Sequence, residues 1–325
     1  MIMSALRVSL SAGVLALVTL VAPAHAQPDL WVVLLQSQEQ AKALNYSGLL
    51  LNQSGEFSQS SKLHHQVTQT GEFEVLERLD GQPARWIRQN DEIQCVLPDR
   101  KLVLTERRQS SASLFPRLTS LKDSISELDK LYTISELPSR RVAGRSSRVI
   151  QLKPRDDMRY EYRFYLDRQK SLLMRTELYS SRGDLLEHVG FTEIDFEPDE
   201  TLKPEKFPAG QGWRTATTEV VPVKDAELAY SLPDILAGFK RASTLCRIKG
   251  SDKQVQQTVF SDGLSSLSVF VQRAPDGQAA PTAPMSHGAV NSKSEVQSQH
   301  RVTVMGEVPE KTINLFMKSV RWKSQ

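Results

Sequence analysis

From Tyr46 to Phe196 the sequence is broken into short runs rich in β-branched, aromatic and leucine residues. They are YSGLLLN, KLHHQVTQ, EFEVLERL, ARWIRQN, EIQCVL and KLVLTER, then RVIQLKP, YEYRFYLD, LLMRTELY and LLEHVGFTEIDF. Polar turns part them, Arg168 to Ser171 before LLMRTELY and SSRGD, with Gly183, after it. Strands that follow one another across turns this short pair with their neighbours, so an antiparallel sheet is expected. A sheet of so many strands curls or partly closes, because every open edge exposes unpaired backbone groups.

Two stretches change the period. In DLWVVLLQSQEQAKALN, Asp29 is an N-cap candidate and Leu30, Val33, Leu34, Ala41 and Leu44 recur with helical spacing. Leu118, Leu121, Ile125, Leu128 and Leu131 likewise keep to one helix face. After Leu202 the run KPEKFPAGQG, with two prolines and two glycines, reads as a linker over 203–212 between a large domain, 27–202, and a small one, 213–325. The small domain holds WRTATTEVV, an irregular LPDILAGF, the strand text VFSDGLSSLSVFV, further strands around Val290 and Val302, and a terminal helix. That helix is expected to start with Pro309 as its first helical residue and to bury Ile313, Phe316, Met317 and Val320. The polar GQAAPTAPMSHG is expected to be a loop. The fold class is α+β, with a mostly antiparallel sheet in the small domain.

The chain has 325 residues, 39% hydrophobic and 24% charged, enough for two domains with separate cores. Its formal charge of +3, from 41 basic and 38 acidic residues, gives no global field that would draw in nucleic acid. Residues 1–26 carry one positive charge in MIMSALR, a short apolar core and the small-x-small site Ala24-His25-Ala26, the pattern of a secretory signal peptide cut before Gln27. The mature chain is therefore expected in the periplasm, where Cys95 and Cys246 could form a disulfide or stand as two separate buried thiols.

Motifs for chemistry are missing from the text: no G-x-S-x-G, P-loop, H-E-x-x-H or C-x-x-C occurs. No enzymatic activity, cofactor or metal is expected on that basis. His64 and His65 are adjacent in an expected strand, so their rings point to opposite faces and do not share a metal. Glu193, Asp195 and Glu197 alternate with Ile194 and Phe196 and read as a solvated face. Arg140, Arg141, Arg145 and Arg148, in SRRVAGRSSR, make either a hydrated turn or a patch for acidic segments, lipid headgroups or lipopolysaccharide phosphates.

Taken together, YRFYLDRQKSLLMRTELYSSRGDLLE, LPDILAGF, VFSDGLSSLSVFV and HRVTVMGEVPEKTINLFMKSV resemble, in order, the RseB/MucB family of periplasmic sigma-E regulatory proteins. Asp234, Ile235, Leu236 and Ala237 stand where that family runs from the LP proline straight to glycine and phenylalanine. The resemblance implies a large N-terminal domain shaped like the lipoprotein carriers, a half-open antiparallel β-barrel with helices across its mouth, and a smaller C-terminal domain. It implies a regulator that binds the periplasmic domain of a membrane anti-sigma factor, shields it from the site-1 protease, and lets go when an amphiphilic envelope ligand, lipopolysaccharide or lipoprotein acyl chains, enters the large domain. The alternative is a periplasmic lipid or lipoprotein carrier, which has no need of a second domain. Phe260, Asp262, Gly263, Leu264 and Phe270 are the candidate partner contacts; Phe270 shares a strand face with Ser266 and Ser268, opposite Leu267, Val269 and Val271. Leu50, Trp86, Phe164 and Tyr165, with the four arginines, are the candidates for ligand binding. A homodimer is left open.

Overall fold

The computed structural model describes residues 29–69, 71–90, 92–107, 121–198, 212–217, 220–224, 227–249, 253–274 and 282–323. The expected signal peptide and residues 203–211 of the expected linker lie outside them. None of the helices in the described residues is long and apolar enough to cross a membrane.

Helix α1 (Leu30–Ala43) is followed by β1 (Tyr46–Ser54), β2 (Phe57–Thr68), β3 (Gly71–Arg78), β4 (Arg85–Gln89), β5 (Glu92–Leu97) and β6 (Leu102–Arg107). Helix α2 (Leu121–Leu131) runs into β7 (Tyr132–Val142), β8 (Arg145–Pro154), β9 (Glu161–Asp167), β10 (Leu173–Tyr179), β11 (Leu185–Asp195) and β12 (Arg214–Thr217). These strands make one curled sheet in the order β12-β6-β5-β4-β3-β2-β1-β11-β10-β9-β8-β7. Two meanders, β2 to β6 and β7 to β11, are joined by the antiparallel pairing of β1 with β11. Bulges in the β1–β11, β7–β8, β9–β10 and β10–β11 pairs bend the strands and strengthen the curl.

The sequence boundary at 213 falls inside this sheet, since Arg214–Thr217 pairs in parallel with Leu102–Thr105 on β6. The second sheet begins beyond it. It contains β13 (Val220–Pro222), β15 (Ile235–Leu236), β16 (Phe239–Lys249), β17 (Lys253–Ser261), β18 (Ser266–Arg273), β19 (Thr282–His287), β20 (Val290–Gln297) and β21 (His300–Gly306), while β14 (Tyr230–Ser231) pairs with β22 (Arg321–Trp322). Half of the stretch expected as a loop is thus an edge strand, Thr282–His287, held by β20. Helix α3 (Glu310–Ser319) starts one residue later than expected, with Pro309 at the N-cap.

Each sheet packs one face beneath helices, and the first sheet also buries Phe73, Val75, Ile87, Val96 and Val103 on its other face, with Trp213 packed against them. Asp29 caps α1 by accepting from the Trp31 amide at 2.9 Å, and Trp31 Nε1 donates to Asp129 on α2 at 3.1 Å, so the two helices are tied together. Trp31, Val33, Leu34 and Leu128 close over Leu50, Leu63, Tyr162, Phe164 and Phe191 of the first sheet. In the second sheet Leu267, Val269, Val271, Val302 and Val304 pack beneath Ile313, Phe316 and Met317 of α3. Each such side chain contributes on the order of 1.5–3 kcal/mol. Cys95 on β5 is half-buried and Cys246 on β16 is buried, both as free thiols in different sheets.

A polar row crosses the inner face of β1 to β4: Tyr46, His65, Glu74 and Arg88 are opposite one another in register. Arg88 is 1% exposed and bonds Glu72 at 2.6 Å and Glu74 at 2.9 Å. His65 Nδ1 lies 2.8 Å from the Leu44 carbonyl oxygen, which places a proton on that nitrogen, and its ring stacks on Tyr46. His65 and Arg88 hold the Glu72 carboxyl down to about 2, against the cost of its burial. A carboxyl lowered on folding stabilises the fold above its unfolded pKa and loses that contribution as pH falls towards the folded one. Glu72→Gln is therefore expected to lower stability at neutral pH by about 2 kcal/mol and to flatten the decline between pH 4.5 and 2. Urea denaturation across that range checks it.

Candidate functional site

The connection between β8 and β9, Arg155 to Tyr160, carries an arginine that is only 1% exposed. Arg159 donates from Nε and Nη2 to Asp156 at 3.0 and 3.1 Å, from Nη1 to Asp262 at 2.6 Å, and from Nη2 to the Ala237 carbonyl at 2.5 Å. The Phe239 and Tyr132 rings lie 4.9 and 5.7 Å from its guanidinium carbon. Burial works against its charge, yet the Asp156 and Asp262 carboxylates more than restore it, and its pKa ends above the ordinary value. A buried pair of this kind holds only when its remaining hydrogen-bonding capacity is met.

Asp262 meets that condition. Its Oδ2 also accepts from Tyr132 Oη at 3.0 Å, and its Oδ1 accepts from the amides of Leu264 and Ser265 at 2.9 and 2.7 Å. The Asp-Gly signal in VFSDGLSSLSVFV is thus an Asx turn whose carboxylate also reaches into the other sheet. Gly263 has φ +99°, and a side chain there would meet Ser124 and Leu128 of α2. Leu264 packs against the core of the first sheet.

LPDILAGF reaches the same place. Ala237 and Gly238 form the turn between β15 and β16, both with positive φ, and this aims the Ala237 carbonyl at Arg159. Around this centre, Tyr162 bonds Ser265 across the seam at 3.0 Å, and Asn291 donates to Tyr160 at 2.9 Å and to the Val308 carbonyl at 2.8 Å. Thr312 donates to the Met158 carbonyl at 2.6 Å, and Lys311 bonds Asp157 at 2.5 Å. At the far end of the seam the turn between β19 and β20 enters the first sheet, where Ala289 is fully buried in that sheet's core.

The sequence candidates divide accordingly. Asp262, Gly263 and Leu264 join the two halves of the chain. Phe260 is fully buried, its ring 4.9 Å from that of Phe316, and so presents no surface to a partner. Phe270 is half-buried on the outer face of the second sheet, opposite Gln257 and Thr303. The next rung on that face reads Val259, Ser268, Met305, Ser292, Met285, with Met305 42% and Met285 64% exposed.

Leu50, Trp86, Phe164 and Tyr165 do not line one cavity. Leu50 and Phe164 are packed under the helices, whereas Tyr165, the next residue along β9, points to the opposite face and donates to Glu177 at 2.5 Å. Trp86 is half-buried beneath Arg78, at 5.3 Å. A cavity of about 310 Å³ opens elsewhere, among Glu77, Arg78, Ala84, Arg85, Val96 and Trp213.

Nor do the four arginines form one positive patch. Arg145 is paired with Asp167 at 2.6 Å and Arg148 with Glu136 at 2.7 Å, while Arg141 bonds the Gly144 carbonyl of its own turn. Arg140 is exposed. His64 and His65 take opposite faces, and both are buried. Glu193, Asp195 and Glu197 are exposed.

Arg159, Asp156, Tyr132, Tyr162 and Asn291 were not singled out by sequence. The available signal was the charged run RDDMRY placed directly between two strands.

A curled sheet closed by two helices, joined through a buried ion pair to a second sheet with one exposed face, defines a two-part binding protein. Residues 30–211 match the MucB/RseB N-terminal domain and residues 224–321 the MucB/RseB C-terminal domain, and the chain belongs to the MucB/RseB family. The sigma factor AlgU regulatory protein MucB of Pseudomonas aeruginosa is 28% identical over 280 residues, covering 82% of this chain and 83% of that one. The sigma-E factor regulatory protein RseB of Escherichia coli is 22% identical over 303 residues, 93% of each chain. A solved complex of Pseudomonas aeruginosa MucA and MucB contains a chain that superposes with a TM-score of 0.68 at 23% identity, over 91% of this chain and 99% of that one, and so shares its fold.

Removing one partner of a buried pair leaves the other charge uncompensated, at about 3–5 kcal/mol. Asp262→Ala is expected to lose stability on that order and to split thermal unfolding into two transitions. Scanning calorimetry checks it.

Proposed function

We propose that this protein is a periplasmic regulator of a sigma-E type envelope stress response. In this reading it holds the periplasmic part of a membrane anti-sigma factor on the outer face of its second sheet and keeps that segment from the site-1 protease. The observation that carries the reading is the surface built by Phe270, Met305 and Met285 among Ser268, Ser292, Ser294 and Thr303. Small side chains let a partner's backbone come close, and the half-buried aromatic and exposed thioether groups supply apolar contact area. Family membership and the MucA complex of the Pseudomonas aeruginosa relative support the choice of partner.

Release follows from the helix that both halves share. Leu128 of α2 is part of the first sheet's core, and the Gly263 turn of the second sheet rests on Ser124 and Leu128. An acyl chain reaches Leu50 or Phe164 only by lifting a helix, and lifting α2 withdraws the support under Gly263. Lipopolysaccharide or a mislocalised lipoprotein is the amphiphile this reading assigns.

Phe270→Asp with Met305→Asp in the full chain is expected to weaken capture of an anti-sigma periplasmic segment at least ~10-fold, with an unchanged melting temperature. Equal capture by the double variant and the natural chain, measured by surface plasmon resonance, would place the interface elsewhere.

A further inference from the structure

At the end of the seam away from Arg159, a carboxyl meets the second sheet with no cation beside it. Glu187 is half-buried on the inner face of β11, opposite Ser54 of β1 and Leu178 of β10 in register. Ser54 Oγ donates to it at 3.4 Å, and the Ala289 amide of the incoming turn donates to it as well. The fit is close, since a side chain on Gly288, at φ +56°, would collide with Ser54. Gly55 closes the same corner by donating to the Leu186 carbonyl at 3.1 Å.

The charged and titratable groups nearby give no compensation. Glu307, in the segment after β21, repels Glu187. Tyr162 is bonded to Ser265, the His287 ring lies tilted 5.9 Å from that of Phe57, and His188 lies on the opposite strand face, level with Gln53 and Glu177. No lysine or arginine acts on the carboxyl among the described residues.

We infer that Glu187, Ser54 and the Gly288–Ala289 turn form a proton-operated latch between the two sheets, closed when Glu187 is protonated and loosened when it ionises. Burial, and then repulsion from Glu307, raise the Glu187 carboxyl to about 7. A carboxyl raised in the closed state costs nothing below its free pKa, since it is protonated whether the seam is open or closed. The cost grows between about 4.5 and 7 and is complete above that, so acidification tightens the seam and alkalinity loosens it. The device is independent of which partner the second sheet carries.

Hydrogen exchange of the full chain tests it, read at the amides of residues 285–291 at pH 5.5 and 8.5 and divided by the intrinsic rate at each pH. The natural chain is expected to show opening at least ~10-fold greater at pH 8.5. Glu187→Gln, which cannot ionise, should hold the low-opening value at both. Glu307→Gln removes the repulsion and should shrink the pH effect, and it decides the matter if the first variant fails to fold. Equal opening of the natural chain at the two pH values, or a Glu187→Gln chain that keeps the full pH response, would overturn the latch.

Discussion

The Arg159–Asp262 ion pair is the contact on which the arrangement of this molecule depends. Neither group has an exposed alternative once the sheets meet: Arg159 is enclosed by Asp156, Ala237, Phe239 and Tyr132, and Asp262 by Tyr132 and the amides of its own turn. A charge pair buried in this way has little margin, because its attraction must offset the loss of water around both ions. It therefore specifies one docking geometry sharply. An apolar contact of equal area would tolerate sliding; a guanidinium with donors aimed at three separate acceptors does not.

That geometry draws its groups from both halves of the chain. The first sheet supplies Asp156, Tyr132 and α2, the second supplies the Asp262 turn, the Ala237 carbonyl and the Gly288–Ala289 turn, and α2 packs on both. Coupling between two sites needs an element with two arrangements that each site biases. Helix α2 lies between the core of the first sheet and the turn that leads into Phe270's strand.

Much of the fold was legible in the sequence, because strand text and helix periods depend on local residue order. YSGLLLN, EIQCVL and LLMRTELY alternate or run apolar as strands do, and Asp29 caps α1 as its side chain permits. Three local readings failed for physical reasons. Thr282–His287 has little apolar character because it is an edge strand exposed along most of its length. Arg214–Thr217 lies next to proline- and glycine-rich text yet finds a free edge on β6. Phe164 and Tyr165 read alike as apolar strand residues for one ligand cavity, although successive residues of a strand face opposite ways. The seam was not legible at all. Asp262 looks like any turn aspartate, and its partner lies 103 positions away, a distance over which one sequence carries no pairing signal.

The position of β12 has a mechanical consequence. Because Arg214–Thr217 is anchored on the first sheet and Val220 already belongs to the second, residues 218–219 alone connect them. The three Cα–Cα steps from Thr217 to Val220 span at most about 11 Å. The second sheet cannot travel far from the first while β12 holds. Any opening of the seam is thus an intramolecular event in which the separated surfaces stay at high effective concentration and find each other again quickly. With Cys95 and Cys246 in different sheets as free thiols, no disulfide adds a second covalent link to that short tether.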